Sequence, residues 1–78
     1  MPRFYFHVRD GADIRDEVGT ELPNIDAARN QAIASSSEMI WDLGRKFRLA
    51  EVWQMSVTDE TGRKLFELSF TATFKAVS

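Results

Sequence analysis

The chain has 78 residues, no cysteine, a formal net charge of −2 and a pI near 5.3. That length holds one small domain, residues 1–78, with room to bury only about 60% of the surface its unfolded chain exposes. Disulfide staples and thiolate metal sites are excluded for want of cysteine, and the acidic balance provides no global field toward nucleic acid or anionic lipid.

Hydrophobic residues make up 44% of the chain and aromatics 12%, so stability is expected from a packed core, a partner subunit, or both. No stretch approaches the roughly 18–20 apolar residues that cross a bilayer. The start, Met1-Pro2-Arg3-Phe4-Tyr5-Phe6-His7, lacks the apolar run and cleavage site of a signal peptide. These features together point to a soluble, cytoplasmic protein.

From Arg3 to Arg9 the chain alternates. Phe4, Phe6 and Val8 point one way, and Arg3, Tyr5, His7 and Arg9 the other, which is the period of a half-buried strand. Asp10-Gly11-Ala12-Asp13 reads as the turn of a hairpin. The return runs from Ile14 to Leu22 with Ile14, Val18 and Leu22 as its apolar positions, and Gly19 predicts a bulge or second bend inside it.

After Pro23, Asn24 is suited to cap a helix, and Asp26 places a negative charge in the first turn, where the macrodipole favours it. The apolar spacing then becomes helical. Ile25, Ala28, Ala32, Met39, Ile40, Leu43 and Phe47 fall in one arc with Ser36 in its middle. Small residues in the first half predict close approach to a sheet there, and large ones fill a deeper gap beyond. Gly44 weakens the last turns, so the helix is expected to end between Gly44 and Arg48.

Val52 to Thr58 alternates again, with Trp53, Met55 and Val57 on one face. Asp59-Glu60-Thr61-Gly62 is a turn with Gly62 open to positive φ. Arg63 to Phe70 forms the last strand, with Phe66, Leu68 and Phe70 on one face. In the tail, Phe74 and Val77 would extend that strand or cover a core edge. The expected architecture is α+β, a single ββαββ domain whose antiparallel sheet carries one long helix on one face. The other sheet face is left bare.

His7 is the single histidine and the first suspect for acid–base chemistry. It stands on the outward strand face between Tyr5 and Arg9, with no nucleophile or carboxylate beside it in sequence, and reads as structural. Asp10, Asp13, Asp16 and Glu17 form an acidic hairpin, but their spacing does not match a calcium loop. Gly11, Gly19, Gly44 and Gly62 are too scattered for a phosphate cradle. Ser35-Ser36-Ser37 lies mid-helix, where small residues serve packing. The expectation is therefore no catalytic residue, metal site, cofactor or small-molecule ligand, and no enzyme.

Arg3, Tyr5, His7 and Arg9 alternate cations and aromatics on one strand face, a surface on which bases stack, with Gln54, Ser56 and Thr58 beside it. The acidic pI, Glu67 and the acidic hairpin weigh against nucleic acid. Trp41 falls on the helix side opposite the apolar arc, where it either marks an interface or packs under a Lys46–Leu49 loop. Unprotected sheet edges add to the case for association. Tyr5, His7, Arg9 and Trp41 are thus the candidate interaction surface of a non-enzymatic module acting by homodimerisation or on a protein partner. The alternative is a nucleic-acid- or toxin-binding regulator.

Phe4-Tyr5-Phe6-His7-Val8-Arg9-Asp10-Gly11, followed by Asp16-Glu17-Val18-Gly19-Thr20-Glu21-Leu22-Pro23, resembles a family of small proteins of rhizobium-like proteobacteria known as a domain of unknown function. The resemblance continues through Ala27-Ala28-Arg29 and Val57-Thr58-Asp59-Glu60-Thr61-Gly62-Arg63. It implies no activity, cofactor or site residue. The layout with Leu22-Pro23-Asn24 before the helix is also similar to HicB-type antitoxin domains, although those carry a further strand before the helix and an acidic Pro-Gly signature.

Overall fold

The computed structural model describes residues 1–45 and 52–72. Phe47, the Lys46–Leu49 loop, Phe74 and Val77 lie outside the described residues. The elements are β1 (Arg3–Arg9), β2 (Asp13–Ile14), β3 (Thr20–Glu21), α1 (Ile25–Arg45), β4 (Val52–Thr58) and β5 (Lys64–Thr71). The alternating segments are the long strands, because a period of two lets each bury one face while the other stays polar. All pairings are antiparallel, with β1 and β4 at the centre, β5 beside β4, and β2 and β3 both on β1.

The single return strand expected from the sequence is split, so the order is βββαββ rather than ββαββ. Val8 faces Ile14 and Phe4 faces Thr20, so the five residues 15–19 lie opposite the three residues 5–7. Two surplus residues cannot stay in a ladder. They loop out, and Gly19 (φ +75°) makes the bend back.

β4 carries the core. Trp53, Met55 and Val57 are fully buried, flanked by Phe4 and Val8 of β1 and by the row Phe66, Leu68 and Phe70 of β5. Phe6 faces Val57 and Val8 faces Met55, so the apolar triads of neighbouring strands lie side by side. A fully buried side chain of this size contributes roughly 1.5–3 kcal/mol by area alone.

Helix α1 crosses that row with Ala28 and Ala32 fully buried and Ser36 between them and the later turns. Ser36 Oγ satisfies itself by donating to the Ile33 carbonyl at 3.1 Å. The buried stripe is narrower than the predicted arc. Ile40 and Leu43 pack on the core, but Ile25 and Met39 are 43% and 42% exposed at its margins. Among the described residues no helix is long and apolar enough to cross a membrane.

The helix starts as its sequence predicts. Asn24 Oδ1 accepts the N–H of Ala27 at 2.9 Å, and the Asn24 carbonyl accepts that of Ala28 at 3.1 Å. The turn between β4 and β5 is built the same way, since Asp59 Oδ1 accepts from Thr61 N, Thr61 Oγ1 and Arg63 N at 2.9, 2.6 and 3.1 Å. The Thr61 hydroxyl foremost, with those N–H groups, holds the Asp59 carboxyl below the usual range. Removing the helix cap by Asn24→Ala is expected to lower stability by about 0.5–2 kcal/mol, read as a shift of the urea midpoint with unchanged slope.

Candidate functional site

The outer sheet face presents Tyr5 opposite Thr58, His7 opposite Ser56 and Arg9 opposite Gln54. The looped-out residues 15–19 fold against one side of this row, and Asp16 fixes them there. Its Oδ2 accepts the backbone N–H of Phe6 at 3.1 Å, and its Oδ1 accepts those of Val18 and Gly19 at 3.1 and 3.0 Å. Burial is the largest influence on this carboxyl and raises its pKa. The three backbone donors, with His7 nearby, outweigh it, and the net direction is down.

The N–H of Asp16 donates to His7 Nδ1 at 3.0 Å. That nitrogen therefore carries no proton. The neutral ring holds its proton on Nε2, which donates to Thr58 Oγ1 at 3.0 Å. Burial first, and the Arg15 guanidinium second, push the His7 pKa below its ordinary value, while Asp16 partly opposes them. The cation that acts on His7 is thus Arg15, from the loop, rather than its strand neighbour Arg9. Both ring nitrogens are occupied in holding the loop to β4.

Tyr5 lies parallel to the His7 ring, with centroids 6.4 Å apart and planes 5° from coplanar. It packs against Gly19, where a Cβ would sit 2.9 Å from Tyr5 Cε2 and 2.8 Å from Arg3 Cγ. Gly19 is thus needed twice, for its positive φ and for this close approach. Arg3 completes the corner by donating to the Val18 carbonyl at 2.8 Å and to Glu21 Oε1 at 3.3 Å. Arg9 is exposed and held by Asp13, through Nε to Oδ1 at 2.7 Å and Nη2 to Oδ2 at 3.3 Å.

The acidic hairpin therefore divides into separate tasks: Asp13 pairs with Arg9, and Asp16 takes backbone amides. Among the described residues no three His, Asp or Glu side chains come together to hold a metal ion. Between the hairpin and the start of β5 lies an open depression of about 350 Å³, lined by His7, Arg9, Arg15, Gln54 and Glu67 among others. Its lining carries both signs, with Arg9, Arg15 and Lys64 against Asp13 and Glu67.

Trp41 is on the far side of the molecule from this face and is 69% exposed. Ile33, Ser37 and Trp41 follow one another at four-residue spacing along the helix side turned away from the sheet, and Ile33 is 49% exposed. Ser37 Oγ folds back to the Ile33 carbonyl at 2.8 Å, which leaves the stripe with little outward polarity. The four candidate residues thus divide between two surfaces, with Tyr5, His7 and Arg9 on one and Trp41 on the other. Asp16, Gly19 and Thr58 were not among the candidates. An Asp three residues before a Gly is a sequence signal for such a loop, whereas the Thr58 contact depends on strand register.

A family model, Domain of unknown function (DUF6894), matches residues 3–71. The chain belongs to the DUF6894 family. No curated protein and no solved structure matches it. The match spans every described strand and the described helix, including the Asp16 loop and the Asp59 turn.

Two outcomes follow for the DUF6894 domain. Gly19→Ala is expected to cost about 1–3 kcal/mol, from strained backbone and the contact with Arg3 and Tyr5, measured by urea unfolding. Because the folded chain keeps His7 neutral below the ordinary histidine pKa of about 6.5, the unfolded chain takes up the proton first as pH falls. Stability from this group is complete above that pH and declines as pH drops toward the lower folded value. His7→Gln is expected to flatten the change in urea midpoint between about pH 7 and pH 5.

Proposed function

We propose that the DUF6894 domain is a non-enzymatic interaction module that works as a homodimer or on a protein partner, through surfaces its fold leaves apolar. The observation that carries this reading is Trp41, 69% exposed in line with Ile33 on the outer side of α1. Tryptophan is concentrated at the centres of interfaces, where a large rigid apolar ring gains most from losing water. A domain this small with no covalent staple also gains stability from any partner that binds only its folded form.

The competing reading is a nucleic-acid- or toxin-binding regulator. The split return gives the chain a third strand ahead of the helix, a feature it lacks in the ββαββ reading and shares in outline with HicB-type domains. Fold alone is a weak guide to function. On the face that would meet phosphates, Arg3 is paired with Glu21 and Arg9 with Asp13, which favours the first reading.

Light scattering after size exclusion at tens of micromolar is expected to give the mass of a dimer. Trp41→Ala, at an exposed position, is expected to leave the fold intact and reduce what the domain retains from native lysate. A strict monomer whose retained proteins are the same with and without Trp41 overturns the proposal. Retention on DNA or RNA that weakens with salt and with Arg3→Ala or Arg9→Ala favours the competing reading instead.

A further inference from the structure

The two edges of the sheet are unlike. Along the outer side of β1 the edge is cut into strands of two residues, β2 and β3, with the Asp16 loop between them. Its Asp16 carboxylate even takes the N–H of Phe6. Short strands and loops of this kind are how sheets avoid pairing with other chains.

β5 has eight residues, Lys64–Thr71, without Gly or Pro, and among the described residues it pairs with β4 alone. Its one irregularity is a register shift at Val57/Thr58, close to its start. From Phe66 to Thr71 the sole charge is Glu67. The helix buries the inner row of β4 completely, whereas Phe66 and Leu68 are half-buried and Phe70 is 37% exposed. Among the described residues this edge offers a line of backbone donors and acceptors beside an apolar row that is only partly covered.

On the self-association side of the proposed function, we infer that a second copy of the chain pairs with β5 edge to edge, antiparallel, about a two-fold axis through Leu68. Such an axis stands perpendicular to the sheet and keeps both apolar rows on the same face. Phe66 then lies opposite the partner's Phe70, and Leu68 meets the partner's Leu68. On the outer face Glu67 lies opposite the partner's Ser69, whose hydroxyl can donate to the carboxylate. Placing the axis at Glu67 would set two carboxylates directly against each other, which is unfavourable. Placing it at Ser69 would push Leu65 and Phe66 off the end of the paired strand. The axis at Leu68 pairs Leu65 through Thr71 without opposing like charges.

The absence of cysteine makes the register directly readable. Directly opposed residues of antiparallel strands have Cα atoms about 4.5–5.5 Å apart, within disulfide reach. Glu67→Cys and Ser69→Cys, mixed in equal amounts and gently oxidised, are expected to give a cross-linked dimer, and neither variant alone is expected to do so. Ser69→Glu, at an exposed site, is expected to raise the dissociation constant at least about tenfold, and Glu67→Lys added to it is expected to restore association. Circular dichroism confirms that each variant folds.

A native chain that is monomeric at tens of micromolar overturns the self-association reading and this pairing with it. A native dimer that gives no mixed cross-link, or that ignores Ser69→Glu, overturns the β5 pairing alone. Cross-linking of Glu67→Cys by itself overturns the Leu68 axis.

Discussion

The carboxylate of Asp16 is the constraint around which one half of the domain is arranged. The return strand has two residues more than β1 can pair, and these must leave the ladder somewhere. Leaving it strands backbone N–H groups, each costing about 1–3 kcal/mol if buried without a partner. Asp16 accepts three of them, from Phe6, Val18 and Gly19, and its own N–H goes to His7. With the loop held by that side chain, the backbone N–H of Asp16 sets the neutral tautomer of His7, and Tyr5 and Arg3 fit over Gly19. A histidine locked at both nitrogens is a structural strut, and its sensitivity to protonation is the cost of using it so.

The other half depends on β4. Its three buried side chains are large, and the helix residues that meet them are small, so sheet and helix approach closely over Ala28 and Ala32. The consequence is a narrow contact. One row of the sheet is fully covered, β5 less so, and the outer side of α1 keeps Ile33 and Trp41 in water. A wider apolar face on the helix would have shielded β5 at the expense of Ala28 and Ala32, whose small size permits the close packing.

Period alone made most of this legible. Alternation located β1, β4 and β5, the change to helical spacing located α1, and Asn24 and Gly62 marked their boundaries because capping and turn chemistry are local. The split return was half legible. Gly19 announced a bend, but two surplus residues become visible only when Val8–Ile14 and Phe4–Thr20 are paired in space. The same limit hid the site. Asp16 reads in sequence as one acid of four in a hairpin, and nothing local distinguishes the one that turns inward to amides from Asp13, which turns outward to Arg9. His7 lacked a neighbour in sequence because its partners come from the loop and from Thr58 on another strand.

Arg3–Glu21, Arg9–Asp13 and Lys64–Glu67 are all ion pairs among exposed groups, each worth about 0–1 kcal/mol at best. Their energetic role is slight, but their effect on the surface potential is not, since they cancel cation against carboxylate across the face where an anionic polymer would bind. Polar groups are thus concentrated where the fold needs them to close a loop or quiet a charge, on β1 and its short neighbours. On β5 such groups, the Lys64–Glu67 pair and the register shift, lie toward its start, and along α1 the Ser37 hydroxyl between Ile33 and Trp41 is turned back to the helix backbone. Among the described residues the two edges of the sheet therefore differ in kind: the β1 side is broken into two-residue strands and a loop, which discourages pairing with another chain, whereas β5 is long and apolar on its inner face.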